Sequence, residues 1–460
     1  MRSLLRFGAL LAALVVPGAV VAGADEPSQP PAPGGPVPID LPTVLRLAGA
    51  NAVDVQIARE RLEAARATAT GALMQFLPWL SPGASYRRHG GLIQDVVGNI
   101  VTANKDSYAL GASGNLQVDV GDALFRTLAA RQSVRAADHQ VRTQQQEVSL
   151  RAAQAYFDLL EAQATMAAAA EALDISRSYE SQLHRAVEVG IAFKGDELRV
   201  RVQTQRNQLV LQQATEQRRI QAARLAEVLR LDPAIDLVAN DAELAPLPLS
   251  NASDSMDVLV REAFAARPEI GEAEALIRAA TETERGSVYG PLIPSVSGQL
   301  FLGGLGGGKQ AGPSTFGASR DYFTAVGWRI GPGGLFDVGR TRLARARVSE
   351  ARWNLEKLKD GISRQVVEAR TRALSQEQQV ETAKEALATA EEMLKLTQAR
   401  RVFEVGVVLE NILAEQDQAR ARQDYARALG EFNKAQYALS RALGRFGGPG
   451  STPGSVPPRP

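Results

Sequence analysis

The side chains that most often do chemistry are scarce in this sequence and do not cluster. There is no cysteine, which excludes disulfides, thiolate metal sites, thiol nucleophiles and a lipid-modified N-terminal Cys. The three histidines, His89, His139 and His184, are spread along the chain and read as surface residues. No catalytic residue, metal site or cofactor is expected from them. Gly303 to Gly308 is glycine-rich, as a phosphate-binding loop would be, but Lys309 is not followed by Ser or Thr and no helix pattern starts there. The run reads as a turn between strands. The 52 basic and 51 acidic residues balance, which points away from nucleic acid and from a strongly charged partner. An enzyme reading has no constellation behind it.

The elements tell more. Residues 1–24 read as a secretory signal: Arg2 and Arg6, an apolar core from Phe7 to Val21, and Ala22-Gly23-Ala24 before Asp25. That core is too short to span a bilayer, and no other stretch is long and apolar enough. If the exported chain enters a membrane, it does so as β-strands. Residues 25–42 are proline-rich and read as a linker.

Two segments, 43–231 and 257–446, then repeat one programme, separated by a Pro/Asp/Ser-rich linker at 232–256. In the first, a helical stretch from Thr43 to Phe76 ends at Leu77-Pro78. Glycine-rich strands follow at about 79–120, where Leu116, Val118 and Val120 alternate with Gln117 and Asp119. A long helix carries Val134, Ala137, Val141, Val148, Ala152, Ala155, Leu159, Ala162 and Met166 on one heptad seam, and breaks at Val189 to Asp196. In the second, strands are expected at about 295–330 and a helix from Asp337 to Val402, roughly 100 Å long at ~1.5 Å per residue. It breaks at Val405-Gly406 and the last helix runs to Leu443. Leu77-Pro78 matches Ile293-Pro294, and Val187-Glu188-Val189-Gly190 matches Phe403-Glu404-Val405-Gly406 at the same offset, which indicates an internal duplication. Residues 447–460 read as a disordered tail.

Two strand pairs per chain cannot close a barrel, and open edges are excluded from a bilayer. Three chains would supply a twelve-stranded barrel with a lumen. Phe301, Tyr322, Phe323 and Trp328 could form its interfacial girdle, although aromatic residues in any strand would look the same. The expected fold is therefore mainly α with a membrane β-barrel: a duplicated helix–strand–strand–helix unit, a trimeric barrel, and a long α-helical, coiled-coil tunnel below it. The helix turns at 189–196 and 405–411 would lie at its far end.

Several of these residues carry a resemblance. Trp328 with Leu335-Phe336-Asp337-Val338-Gly339-Arg340, the Val-Gly helix turns, and Ala442-Leu443-Gly444 resemble the outer-membrane efflux proteins of the TolC type over nearly all of residues 39–446. That resemblance implies a homotrimer in the outer membrane, with helices extending into the periplasm. It implies a passive duct for drugs, metals or proteins, working with a periplasmic adaptor and an inner-membrane transporter. The family's adaptor-contacting tip falls on Val189, Gly190 and Ile191 and on Val405, Gly406 and Val407. Its acidic constriction ring maps, with a one-residue gap, onto Asn411 and Ala414, flanked by Glu410 and Glu415; Asp196 holds the equivalent place in the first repeat. Glu410 or Glu415 either replaces the ring charge or is a solvated helix residue. The rival readings are a periplasmic adaptor, which needs one helical hairpin inside flanking β-domains, and a structural coiled coil of the envelope, which needs no strand pairs.

Overall fold

The computed structural model describes residues 35–240, 245–249, 255–309, 315–402 and 408–446. The expected signal segment, the disordered tail, and the turn residues Val405, Gly406 and Val407 lie outside these ranges. The first half contains β1 (Val37–Ile39), α1 (Leu41–Asn51), α2 (Val53–Met74), β2 (Trp79–Gln94), β3 (Ile100–Asp119), α3 (Val120–Glu188) and α4 (Lys194–Leu229). After β4 (Leu237–Ala239), the second half contains α5 (Met256–Ala266), α6 (Pro268–Tyr289), β5 (Ser295–Lys309), β6 (Thr315–Gly327), α7 (Val338–Val402) and α8 (Val408–Ala442). The order α, α, β, β, α, α thus occurs twice. The 69 residues of α3 and the 65 of α7 each extend about 100 Å at ~1.5 Å per residue.

The strands form one antiparallel sheet in the order β2-β3-β5-β6. The β3–β5 pairing joins the two halves at its centre and leaves one edge of β2 and one edge of β6 without a partner among the described residues. In the described residues, no helix is long and apolar enough to cross a membrane.

Four features differ from the sequence reading. Gly303 to Gly308, expected as a turn between strands, lies inside β5 and pairs with β3. The helical stretch from 43 to 76 is two helices, because Ala52 adopts an extended conformation (φ −60°, ψ 129°). The corresponding stretch in the second half breaks at Arg267, which precedes Pro268; the proline ring disfavours helical geometry in the residue before it. The linkers expected at 25–42 and 232–256 contribute β1 and β4, which pair in parallel as Val37↔Leu237 to Ile39↔Ala239. Strands of three residues are too short to show a period.

The core repeats as well. Val44 and Ala48 of α1, Tyr156, Phe157 and Leu159 of α3, and Leu225 and Leu229 of α4 pack together with Leu237. Leu259 and Ala263 of α5, Ile362 and Val366 of α7, and Leu439 pack in the second half. Each large apolar side chain buried this way contributes ~1.5–3 kcal/mol. The heptad seam supplies many of these residues: Val141, Val148, Ala152, Leu159 and Ala162 are buried.

A buried ion cluster ties the second half together. Arg267 donates from Nη2 to Glu269 Oε1 (2.8 Å) and from Nη1 to Gln365 Oε1 (2.6 Å). Arg441 Nη2 donates to the same Glu269 oxygen (2.6 Å), so the carboxylate joins α6 to α8, and Arg267 carries the contact on to α7. Burial alone would raise the Glu269 carboxyl, but hydrogen bonds and charge from Arg267 and Arg441 hold it down to about 2 from 4.5. A carboxyl lowered on folding stabilises the fold fully above its unfolded value, and that stability is lost as pH falls through the folded value. The window therefore runs from pH 4.5 down to about 2, and the interaction is worth about 3 kcal/mol. Glu269→Gln is expected to lower unfolding free energy at pH 7 by about that amount. In denaturant titrations followed by helical circular dichroism, the variant should also lose most of the destabilisation seen on acidification through that window.

Candidate functional site

The sheet has two chemically different faces. Register is continuous across all three pairings, so each row of directly paired residues points to one side. One face carries Val118, Val296 and Val326, then Leu80, Leu300 and Tyr322, then Ala112 and Leu302 with the single charge Arg320, then Ala84 and Leu110, then Tyr86, Tyr108 and Phe316, with Arg88 and Asp106 beyond them toward the hairpin end. The other carries Gln117 and Ser297, then Asn115 and Gln299, then Ser81 and Ser113, then Ser85, then Arg87 and Ser107. An apolar face opposite a polar one is what a strand between lipid and water requires.

This geometry divides the expected girdle. Tyr322 lies on the apolar face, but Phe301 and Phe323 lie on the polar one. Adjacent strand residues point to opposite sides, so Tyr322 and Phe323 cannot serve one belt. The apolar face has another aromatic row, Tyr86, Tyr108 and Phe316, near the hairpin ends. The Tyr108 and Phe316 rings stack across β5 with centroids 5.8 Å apart. Reading parity from the strand register finds this row; a search for aromatic residues alone does not.

The strand-to-helix junction uses the residues of the expected motif. Asp337 caps α7: its Oδ1 accepts from Arg340 N (2.9 Å) and its Oδ2 from Gly333 N (2.8 Å). These backbone hydrogen bonds hold its carboxyl below the usual range. The corner forces Phe336 to a φ of 69°, in the left-handed region. Trp328 Nε1 donates to Leu292 O (3.1 Å), fastening β6 to the turn that leads into β5. In the first half, Asp119-Val120-Gly121-Asp122 repeats Asp337-Val338-Gly339-Arg340, and Arg340 Nη2 donates to Asp122 Oδ1 (2.6 Å). The two corners are thus bridged through equivalent positions of opposite charge. At Gly121 a Cβ would overlap the Gly290 backbone, so this crossing of α3 and the end of α6 requires glycine.

The far end of the helices holds the other candidates. Gly190 ends α3 with a φ of 78°, and Ile191 N donates back to Ala186 O (2.9 Å). Val189, Ile191 and Phe193 around it are 68%, 77% and 75% exposed, an apolar cluster at a helix turn. Asp196, in the first turn of α4, accepts from Arg199 (3.0 Å). In the second half, Asn411 is buried and donates from Nδ2 to Glu415 Oε1 (2.8 Å), while Glu410 is exposed. Ile412 packs on Tyr179, Leu183 and Val200, and Gln416 donates to Gln203 Oε1 (2.7 Å), so α8 meets the α3–α4 hairpin at this level.

One residue here has no counterpart in the sequence expectations. Glu197 is fully buried between α3 and α4. It accepts from Lys194 Nζ (2.5 Å) and Arg201 Nη2 (2.9 Å), and its Oε1 lies 3.1 Å from His184 Nδ1. Lys194 first, and then His184, hold its carboxyl below the usual range. The Lys194, Glu197, Arg201 spacing of one helical face was the available signal. Glu197→Leu is expected to loosen the hairpin end, with faster amide exchange confined to residues near 184–201; unchanged exchange would assign Glu197 no role in closing the turn.

The sequence and the fold have relatives. Residues 44–229 match the model of the outer membrane efflux protein family. No curated protein sequence gives a match. Among solved structures, a membrane protein from Pseudomonas aeruginosa superposes with a TM-score of 0.74 at 19% identity, covering 88% of this chain and 92% of that one. The CmeC outer membrane channel of Campylobacter jejuni gives 0.70 at 16% identity, with 90% and 87% covered. The outer membrane protein VceC of Vibrio cholerae gives 0.70 at 17%, with 88% and 96% covered. The first half of the chain thus matches the outer membrane efflux protein family, and most of its length shares the fold of these solved structures.

Proposed function

We propose that this chain is the outer-membrane exit duct of a tripartite efflux or type I secretion assembly, a passive conduit with no reaction of its own. The observation that carries this reading is the two-faced, four-stranded sheet with an unpaired edge at each side. Such a sheet is stable in lipid only if β6 of one chain pairs with β2 of the next until the ring closes. Three copies give twelve strands, wide enough for a lumen. The long helices then continue the barrel as a tunnel of about 100 Å into the periplasm. Fold-level likeness to the CmeC outer membrane channel and to the outer membrane protein VceC supports the same reading. A periplasmic adaptor needs only one hairpin, and a structural coiled coil has no use for a sheet with one lipid-compatible face.

The tunnel tip is assigned to Val189, Gly190 and Ile191, with Val405, Gly406 and Val407 of the second half in the same role. An adaptor would cover the exposed apolar turn and, with an inner-membrane transporter as energy source, draw the helix pairs apart. Asp196 and Glu410 are the charges we place at the constriction. Asn411 and Glu415, bonded to each other, instead position α8.

Mass measurement of the detergent-extracted protein should give a trimer; a stable monomer soluble without detergent would remove the duct reading. Gly190→Asp and Gly406→Asp are each expected to abolish export while the trimer still forms. At Gly190 a side chain must adopt the positive φ and places charge within the apolar turn. Normal export by both variants would withdraw the adaptor role from these turns.

A further inference from the structure

The polar face of the sheet contains large aromatic residues that a water-filled lumen does not need. Trp79, Asn115, Gln299 and Phe323 form one directly paired row, and Ser81, Ser113, Phe301 and Asp321 form the next. Trp79 and Phe323 are 60% and 59% exposed. They sit on β2 and β6, the two edge strands, so closing the ring brings Phe323 of one chain toward Trp79 of the next. Gln299 Nε2 donates to Asn115 Oδ1 (3.2 Å), placing an amide pair between them.

Asp321 is directly opposite Phe301 and two residues from Phe323 on the same face. Its Cβ lies about 5 Å from that of Phe301 and about 7 Å from that of Phe323. Arg320 is turned to the opposite face by the strand alternation. Toward the helices, Asp119 is the other acid of this face and is paired with Arg329 at 3.6 Å. Toward the hairpin ends the face becomes basic, with Arg87, His89 and Lys105. Asp95, in the hairpin turn, accepts from the backbone of Val97 and Asn99. The basic row begins six residues beyond the row of Phe301 and Asp321 and eight beyond Trp79, about 20 and 26 Å away along the strand. At physiological salt, charges are screened over about 8 Å, so Asp321 rather than that row sets the potential at the aromatic residues.

We propose that Trp79, Phe301, Phe323 and Asp321 form an inward-facing belt that binds amphipathic organic cations as they leave the helical tunnel. Aromatic faces attract a cation through their quadrupole, and they stack with a planar ring; the carboxylate adds charge selection. The inference rests on the exit-duct reading, because only a closed ring turns the polar face inward.

The test uses the full-length protein in detergent, with 1-naphthylmethylammonium as probe and 1-naphthoate as its anionic counterpart, measured by isothermal titration at 0.15 M salt. The ammonium should bind about tenfold tighter than the carboxylate. Asp321→Asn should bring the two within about twofold, while Trp79→Leu with Phe323→Leu should weaken both by about five- to tenfold. Arg87→Gln with Lys105→Gln should change neither. Equal binding of both probes by the native trimer, or a preference unchanged in Asp321→Asn, would overturn the belt. A monomer by mass would instead remove the duct reading, and the belt with it. If a variant assembles poorly, Trp79→Phe is read in its place: it should retain most of the ammonium affinity, and a loss as large as that of the leucine pair would overturn aromatic recognition.

Discussion

Unpaired backbone groups along one side of β2 and one side of β6 set the terms for the rest of this chain. Each buried N–H or C=O left without a partner costs several kcal/mol in hydrocarbon, and neither strand can reach the other within one sheet of four. No helix among those described can take over the crossing. On the exit-duct reading proposed above, membrane contact belongs to the sheet and its completion to other copies of the chain. The duplication follows naturally from this constraint. Two similar hairpins, joined at β3 and β5, present compatible edges outward, so one pairing geometry can serve both within and between chains.

The helices inherit their arrangement from the strands through the two corners. A strand repeats every second residue and a helix every 3.6, so a continuous chain needs a fixed transition between them. Asp337 provides one by capping α7 and bonding back to Gly333. Trp328 fastens the incoming strand to the neighbouring turn. Asp122 and Arg340 then bridge the two corners, and Gly121 on Gly290 removes the side-chain volume that would force α3 and α6 apart. Strand tilt is in this way passed to helices some 100 Å long, where small angular errors would grow into large displacements.

Most of this plan was legible in the sequence because it is periodic. The heptad seam marked Val141, Val148 and Leu159 as core, and glycine-rich stretches located both strand pairs. Legibility failed where the signal was shorter than a period or depended on parity. Three-residue strands β1 and β4 leave no pattern, and Ala52 ends a helix although nothing about alanine marks a break. Tyr322 and Phe323 looked alike in sequence yet face opposite sides of the sheet. Glu197, surrounded by Lys194, Arg201 and His184, reads as one more charge on a polar helix until α3 is laid beside it. Long-range partners such as Arg441 and Glu269, 172 residues apart, cannot be found from local spacing at all.

The distribution of buried charge suggests where this molecule can move. A closed barrel has every backbone group committed to a neighbouring strand, so opening it would expose many groups at once. The middle of the helical region is held by buried side chains and by the Glu269 cluster, in which Arg267 and Arg441 share one carboxylate and Arg267 also binds Gln365 of α7. Toward the turn at 189–196 the packing becomes more polar. The Ser176 and Thr204 hydroxyls bond at 2.9 Å, Gln203 accepts from Gln416, and Glu197 holds the last turn through side chains that also reach solvent. Polar contacts of this kind can be exchanged for water at modest cost, whereas buried apolar contacts cannot. Conformational change is therefore cheapest at the helix turns. On the exit-duct reading, we place the gate at the end remote from the membrane, beside the exposed apolar cluster of Val189, Ile191 and Phe193, where covering the turn and loosening the hairpin become one event.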